Sequence, residues 1–402
     1  MDNLQQTLQG INWNFSDYNS AKYPLDINSI PWYPATFIPP IPKFLIALLT
    51  KSGDTVLDPF GGKGTTAIET IKQNRFPLYN DLNPFAAEIT TALLYAIKSH
   101  INGNTFPDDE EAYLGECIVP IESEEAFISR CGISNDVFKW YDANTLTEIF
   151  SIVNLMYLDQ ENNTELFYVR KLALSSILKQ ASSQPGHFTY ITDNCKPAKL
   201  IYKNAKKLYV NKMVQIKLAA QDMIKQFSLT NPDGSLSTVL DEAKIVTGDA
   251  RNMGWINSLS VNLVITSPPY LCAQDYIKTM RLTNLFFPDQ EGFDITPKKE
   301  IGPRNKRRSK AELVIPNYYS DMDRVFSEIE RVLVPKGFFC LIIGQGKSKI
   351  TAEYDTISDL CDIIKQKHRL NEIYHVTRKI GNRVIQVGGV DTEDIIVFQK
   401  TN

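Results

Sequence analysis

Hydrophobic and polar residues along this chain form a pattern that predicts strands alternating with helices. Short apolar runs bounded by turn-forming residues predict strands at 55–58, 77–81, 244–247, 262–266, 337–343, 371–377 and 394–399. Helical spacing follows the first two strands and recurs at 319–333 and 356–367, and a Pro and Gly stop leads from 319–333 into the next strand. We therefore predict an α/β fold with a doubly wound, mostly parallel sheet.

The pattern changes between residues 101 and 240. Segments 165–182 and 198–227 have helical spacing of apolar residues, and polar turn formers separate them at 183–197. We predict a mainly helical insertion at 101–240, placed between the second and third strands of a domain formed by 1–100 and 241–402.

A glycine-rich loop directly follows the first predicted strand. It reads DPFGGKGTT at 58–66 and leads into a predicted helix at 65–73. Glycine has no Cβ, so a ligand can approach this backbone closely, and ligands bind at the carboxyl ends of strands in open α/β sheets. The spacing matches neither a P-loop nor a dinucleotide fingerprint. The loop is either a nucleoside-cofactor turn or an ordinary tight turn from strand to helix.

A proline-stiffened loop, TSPPY at 266–270, follows the fourth predicted strand. The two prolines remove backbone donors and hold the carbonyls of Ser267 and Pro268 as acceptors beside a hydroxyl and an aromatic ring. This set suits an exocyclic amine on a planar base. The amine would donate to Ser267 and to the Pro268 carbonyl, while Tyr270 stacks on the ring. A rigid surface turn is the alternative.

Together, the two loops resemble the motifs of the S-adenosylmethionine-dependent amino-methyltransferases of DNA. The serine in the second motif is similar to that of the cytosine-N4-specific enzymes, whereas adenine-N6 enzymes more often have Asp or Asn there. The resemblance covers roughly residues 23–100 and 241–402. It implies a Rossmann-like class I methyltransferase fold, a seven-stranded sheet in which the last two strands form an antiparallel hairpin.

The resemblance also implies site residues. Thr36 and Phe37 lie in a segment that closes over the methionine part of the cofactor, Asp81 matches the acid that takes the ribose hydroxyls, and Asp249 lies beside the adenine ring. The expected cofactor-binding residues are Thr36, Phe37, Asp58, Pro59, Phe60, Gly61, Gly62, Gly64, Thr65, Asp81, Asn83, Asp249, Ala250 and Thr266. The expected catalytic residues are Ser267, Pro268, Pro269 and Tyr270.

Charge is segregated along the chain, although the net charge is only −3. Residues 104–165 are acidic, whereas 196–225 and 298–310 carry basic runs. Such runs are either solvated surface or, in a chain with these motifs, phosphate contacts. The expected DNA-binding residues are Lys203, Lys206, Lys207, Lys298, Lys299, Arg304, Arg307 and Arg308. Segment 184–190 mixes aromatic and polar residues, and it either reaches a DNA groove or packs on the sheet.

Composition excludes several classes of protein. Six cysteines without a Cys-x-x-Cys pair and only four histidines argue against a zinc site and a disulfide framework, so we expect no metal. No apolar run reaches membrane-spanning length and the amino terminus is polar, so we expect a cytoplasmic protein. A cytosine-C5 mechanism needs a cysteine nucleophile in a Pro-Cys context, which Cys272 lacks.

The resemblance implies methyl transfer from S-adenosylmethionine to the N4 amine of a cytosine flipped out of duplex DNA. The expected context is a restriction-modification or related defence system, which would supply a cognate restriction endonuclease as a partner. Target recognition lies in the insertion, in 284–318, or in both. The alternatives are an adenine-N6 methyltransferase of DNA, a methyltransferase acting on RNA or a small molecule, and a catalytically silent DNA-binding subunit.

Overall fold

A seven-stranded mixed sheet organises the computed structural model, which describes residues 2–19, 22–31, 33, 38–103, 110, 112, 114, 123–184, 196–271, 281–287, 300–302, 311–345, 354–380 and 391–402. The strands are β1 Thr55–Asp58, β2 Phe76–Asp81, β3 Lys244–Thr247, β4 Val261–Thr266, β5 Leu333–Ile343, β6 Leu370–Lys379 and β7 Thr392–Lys400. Their order is β3-β2-β1-β4-β5-β7-β6. Within this sheet β7 runs antiparallel to both of its neighbours, so the predicted terminal hairpin and the α/β class are confirmed.

The described residues contain the following α-helices: α1 Asp2–Gln9, α2 Pro40–Leu49, α3 Thr65–Lys72, α4 Pro84–Ile101, α5 Glu124–Arg130, α6 Ala143–Asn162, α7 Thr164–Ala181, α8 Ala205–Thr230, α9 Leu236–Asp241, α10 Arg281–Phe286, α11 Ala311–Val332 and α12 Thr356–Lys367. The predicted bounds of α12 are confirmed. The prediction for α11 began too late, because Pro316 lies inside that helix rather than before it. Likewise β5 begins at Leu333, directly after α11, rather than at 337.

The strand order reverses between β1 and β4. From β1 the chain continues outward to β2 and β3, then returns to place β4 on the other side of β1. The two strands are parallel, with Val56 beside Leu263 and Leu57 beside Val264. Such a reversal opens a crevice at the carboxyl ends of the strands, which is where α/β sheets bind ligands. Both loops identified in the sequence begin at this point.

Apolar side chains of β1 and β4 point alternately to the two faces of the sheet, as the strand period requires. Val56, Leu263 and Ile265 pack in the apolar cluster that contains helix α2, whereas Leu57 and Val264 pack in the cluster that contains helix α11. Both faces are therefore covered, which is the doubly wound arrangement that the sequence predicts.

Between α4 and β3 the described residues are mainly helical and contain no strand. Helices α7 and α8 pack on α4, and they share one apolar cluster with residues of α3 such as Ile68 and Ile71. The bounds of 101–240 as a separate insertion stay a prediction, since the helices continue the core of the sheet domain. Within the described ranges no helix is long and apolar enough to span a membrane, and no group of acidic, His and Cys side chains is placed to hold a metal.

Candidate functional site

A buried carboxylate joins the two loops at the carboxyl ends of β1 and β4. Asp58 accepts a hydrogen bond from the Thr66 hydroxyl at 2.6 Å and one from the Thr266 hydroxyl at 2.8 Å. It also accepts from the backbone N–H of Phe60 at 3.1 Å. Burial raises the pKa of Asp58 to about 6, although these hydrogen bonds favour its ionised form. The glycine-rich turn and the proline-stiffened turn therefore lie side by side at one rim.

Neighbouring side chains lie so close to two positions of the glycine-rich turn that only glycine fits there. A Cβ added to Gly61 would lie 2.2 Å from the Tyr79 ring, and one added to Gly64 would lie 2.6 Å from the Thr90 hydroxyl. Gly64 also has φ +85°, a conformation that side chains other than glycine disfavour. The Tyr79 hydroxyl donates to the carbonyl of Gly62 at 2.6 Å, so the ring that excludes a side chain also anchors the turn.

Gly61→Ala should destabilise the protein by about 1 to 3 kcal/mol, because its methyl group would overlap the buried Tyr79 ring. Gly254→Ala is a matched control, since the nearest atom to its added Cβ, Asn252 Oδ1, is 3.5 Å away. Chemical denaturation of both variants measures the difference. Equal free energies of unfolding for the two variants would contradict this packing.

Acidic and amide side chains form the rim at the end of β2. Asp81 accepts from the backbone N–H groups of Gly62 and Asn83, both at 2.8 Å. Burial raises the pKa of Asp81 to about 6. Asn83 caps helix α4 by accepting from the N–H of Phe85 at 3.0 Å, and it donates to the Tyr33 hydroxyl at 3.1 Å. Tyr33 thus approaches the turn from the amino-terminal segment.

The end of β3 is fixed to the same rim by Asn80. Its amide donates to the carbonyl of Pro59 at 3.2 Å and to that of Gly248 at 2.9 Å. Asn80 therefore joins the glycine-rich turn after β1 to the turn that follows β3. Asp249, the next residue, pairs with Arg251 at 2.7 Å. Arg251 also pairs with Asp321 at 2.9 Å. Asp249 therefore lies at the expected rim with its carboxylate held by a guanidinium.

The proline-stiffened turn is held from two sides. Ser267 donates to the Tyr270 hydroxyl at 3.3 Å, and Tyr270 donates to Glu393 on β7 at 3.2 Å. On the other side, the Tyr318 hydroxyl donates to the carbonyl of Pro269 at 3.1 Å. Pro268 is buried between these anchors, and Ala250 and Thr266 are buried nearby at the strand ends.

Lys63 is a residue of the first turn that sequence reasoning left without a role. Its ammonium donates to the carbonyl of Asn28 at 2.6 Å and to that of Pro31 at 3.3 Å. Burial lowers the pKa of Lys63 to about 8. The contact joins the turn to the segment that precedes residues 34–37. No local pattern indicates it, because the acceptors are backbone carbonyls.

Of the basic residues expected to bind DNA, the structure describes Lys203, Lys206 and Lys207. Lys203 donates to the carbonyl of Gln180 at 3.0 Å and also to that of Ser182, so it supports the end of helix α7. Lys206 and Lys207 line a cavity of about 520 Å³ beside Glu148. The remaining expected residues lie outside the described residues: Lys298, Lys299, Arg304, Arg307 and Arg308, together with Thr36 and Phe37 of the cofactor set.

The fold and the paired loops define a Rossmann-like α/β protein whose strand order reverses between β1 and β4, the position at which such sheets bind ligands. A family profile described as "DNA methylase" matches residues 4–129. The type II methyltransferase M.MjaI of Methanocaldococcus jannaschii is 28% identical over 39% of this chain and 55% of its own length. The type II methyltransferase M.BsoBI of Geobacillus stearothermophilus is 25% identical over 70% of this chain and 57% of its own length.

The chain is therefore similar to DNA methylases, and these matches do not distinguish between cytosine N4 and adenine N6. The matched regions span little more than half of the two relatives, so their full activities do not transfer directly. Among solved structures, a SAM-dependent methyltransferase from Methanosarcina mazei aligns over 92% of this chain and 99% of its own, with 9% identity and a TM-score of 0.35. That likeness is too weak to support an inference.

Proposed function

We propose that this protein is an S-adenosylmethionine-dependent DNA methyltransferase that acts on the N4 amine of cytosine. The observation that carries the proposal is the Asp58 carboxylate, which accepts from Thr66 in one loop and from Thr266 in the other. A methyl donor on the first loop and a base on the second would then meet at one rim. Proximity of this kind accounts for much of the rate in a direct transfer.

The rim of β1 and β2 fits S-adenosylmethionine. Gly61 and Gly64 bring the backbone of the turn within reach of a ligand. The Thr65 hydroxyl is buried and has no hydrogen-bond partner in the described part of the chain, so a bound ligand could supply one. Each carboxylate oxygen of Asp81 keeps a second lone pair with which it can accept from ribose hydroxyls. When bound, this cofactor supplies the methyl group.

The second loop fits a flipped base. Ser267 and the carbonyl of Pro268 are acceptors for an exocyclic amine, and the ring of Tyr270 offers a stacking surface. A cytosine amine is a poor nucleophile because its lone pair is delocalised into the ring. Hydrogen bonds donated by the amine to these two acceptors favour a pyramidal nitrogen, whose lone pair would attack the methyl carbon in line. The carbon–sulfur bond would break towards sulfur, and the methylated nitrogen would release one proton to water.

We assign duplex-DNA phosphate contacts to Lys206 and Lys207 and to the basic residues on either side of Gly302. Gly302 packs on Tyr318, and a Cβ added to it would lie 3.6 Å from the backbone of Leu271, directly after the TSPPY loop. The helical region 101–240 is then a DNA-contacting or target-recognition region. Both relatives are named type II methyltransferases, which favours a type II restriction-modification context. We also place the protein in the cytoplasm, with a cognate endonuclease as partner.

The base and the nucleic acid are tested together. Unmethylated duplex DNA and RNA are each incubated with labelled S-adenosylmethionine, digested to nucleosides and examined by mass spectrometry. We expect N4-methylcytosine from DNA alone. N6-methyladenine would overturn the base assignment, methylated RNA would overturn the substrate, and absence of both methylation and cofactor binding would leave a silent DNA-binding subunit. A Ser267→Ala preparation controls for a contaminating methylase.

Cofactor affinity should fall as pH falls below about 6, because the burial-raised pKa of Asp81 then leaves its carboxyl protonated. A protonated carboxyl loses acceptor capacity for the ribose hydroxyls, so the dissociation constant should rise by up to about tenfold per pH unit. Calorimetry between about pH 4.5 and 7.5 measures it. Asp81→Asn should bind more weakly and lose this dependence. If the dissociation constant of the Asp81→Asn variant changes with pH as steeply as that of the wild type, the titrating group is a different one, such as Asp58.

A further inference from the structure

A hydrogen-bond chain connects the catalytic loop to a buried ion pair on the terminal hairpin. Ser267 donates to the Tyr270 hydroxyl at 3.3 Å, and Tyr270 donates to Glu393 at 3.2 Å. The other oxygen of Glu393 accepts from Nε of Arg378 at 3.0 Å. Arg378 and Glu393 are directly paired across β6 and β7. Four side chains from three strand ends therefore form one connected network.

The ion pair is almost completely buried, with Arg378 at 2% and Glu393 at 6% exposure. A second nitrogen of Arg378 faces the carbonyls of Trp13 at 3.4 Å and Asn14 at 3.5 Å, which holds the guanidinium in place. Removing two charges from water is costly, and a well-packed apolar pair often stabilises a fold as much or more. Stability alone therefore does not explain this pair.

The chemistry of the network determines the direction of its hydrogen bonds. An ionised carboxylate only accepts, so the Tyr270 hydroxyl must use its proton on Glu393. The Tyr270 oxygen can then accept from Ser267, whose proton is used in turn. Ser267 is left with lone pairs to present to a substrate. An exocyclic amine is a donor, so it meets an acceptor rather than a second donor.

We propose that Glu393, held by Arg378, is a positioning residue that orients the hydroxyls of Tyr270 and Ser267 so that Ser267 accepts from the amine being methylated. This inference rests on the proposed function, because it assigns a direction to a hydrogen bond of that reaction. Glu393 acts through Tyr270 and does not itself contact the base.

Glu393→Gln tests the direction. Arg378 only donates, so the amide oxygen of the introduced glutamine should face Arg378 and its NH₂ group should face Tyr270. Tyr270 would then accept from that NH₂ group and donate to Ser267, and the Ser267 proton would point at the amine. We expect kcat to fall about 10- to 100-fold, while KM for duplex DNA and for S-adenosylmethionine changes by less than about twofold. A wild-type kcat, or a raised KM with unchanged kcat, would overturn the proposal.

The Tyr270→Phe variant interrupts the hydrogen-bond network, because it lacks the hydroxyl, but it keeps the aromatic ring. Glu393→Gln should change kcat there by less than about twofold, because Glu393 acts only through the missing hydroxyl. If Glu393→Gln lowers kcat equally in the wild type and in Tyr270→Phe, the Arg378–Glu393 ion pair only supports the hairpin of β6 and β7. Glu393→Asp keeps a carboxylate and should recover most of the activity, whereas a loss equal to that of Glu393→Gln would indicate packing instead.

Glu330→Gln is the matched control, since Glu330 pairs with Arg369 at 2.7 Å beside the opposite end of β6. It should keep wild-type kcat. Thermal melts and calorimetry with S-adenosylmethionine show that each variant is folded and binds cofactor, so a kinetic loss is not a folding loss. Methylation by wild type with no effect of Glu393→Gln would refute this inference alone. Absence of methylation by wild type would instead refute the proposed function.

Discussion

Ser267→Ala should retain cofactor binding and lower kcat by about 100- to 1,000-fold, the scale seen when one hydrogen-bonding group that stabilises a transition state is removed. Alanine has no oxygen with which to accept from the amine, and Tyr270 loses the donor that it has in the wild type at 3.3 Å. Steady-state methylation of duplex DNA measures kcat. Calorimetry with S-adenosylmethionine measures cofactor affinity.

Ser260→Ala is the matched control for this experiment. Ser260 directly precedes β4, whereas Ser267 directly follows it, and its hydroxyl donates to the nearby carbonyl of Asn257 at 2.7 Å. That variant should have wild-type kcat. Full activity of Ser267→Ala would remove Ser267 from the reaction. A loss of cofactor affinity that accounts for the lower rate would make its role structural.

Asp58→Ala should weaken S-adenosylmethionine binding by more than about 100-fold. The substitution leaves two threonine hydroxyls and the Phe60 N–H without their acceptor in a buried site, and each such group costs about 1 to 3 kcal/mol. The two turns would no longer be joined. The structure assigns Asp58 a positioning role, since both of its oxygens accept from the chain itself.

Calorimetry with S-adenosylmethionine measures this loss, and circular dichroism shows whether the fold persists. Asp58→Asn keeps one acceptor oxygen and should show a smaller loss, which keeps the test informative if the alanine variant unfolds. Asp54→Ala is the control at the other end of β1, where Asp54 accepts from the backbone of Lys51 at 2.9 Å. Unchanged affinity in a folded Asp58→Ala variant would contradict the bridging role.

Most strands were predictable because they are short apolar runs ended by glycine, proline or polar residues. The bounds of β1 and β3 agree with the prediction to the residue. Helix α11 shows where local rules fail. Pro316 lies inside this helix, whereas sequence rules take a proline as a sign of a helix boundary. Its extension through Pro316 depends on packing of residues such as Ile315 and Tyr318.

The candidate site was predictable in part. Its two loops carry local signatures, and both sit at strand ends, so sequence alone indicated a shared rim. Glu393 and Arg378 carry no such signature. They reach the proline-stiffened loop because β7 pairs with β6 in a register that places them opposite each other, and register depends on contacts far apart in the chain.

The sequence by itself determined where most of the strands lie, which two loops form the candidate site and which class of fold they imply. Those properties follow from local periodicity and from the conformations open to glycine and proline. Only the tertiary structure decided that Asp58 bridges Thr66 and Thr266, that Lys63 holds the segment at Asn28, and that Glu393 reaches Tyr270. Asp58 and Thr266 are 208 positions apart in the chain. No local rule predicts which distant partner a polar side chain contacts once the sheet has formed.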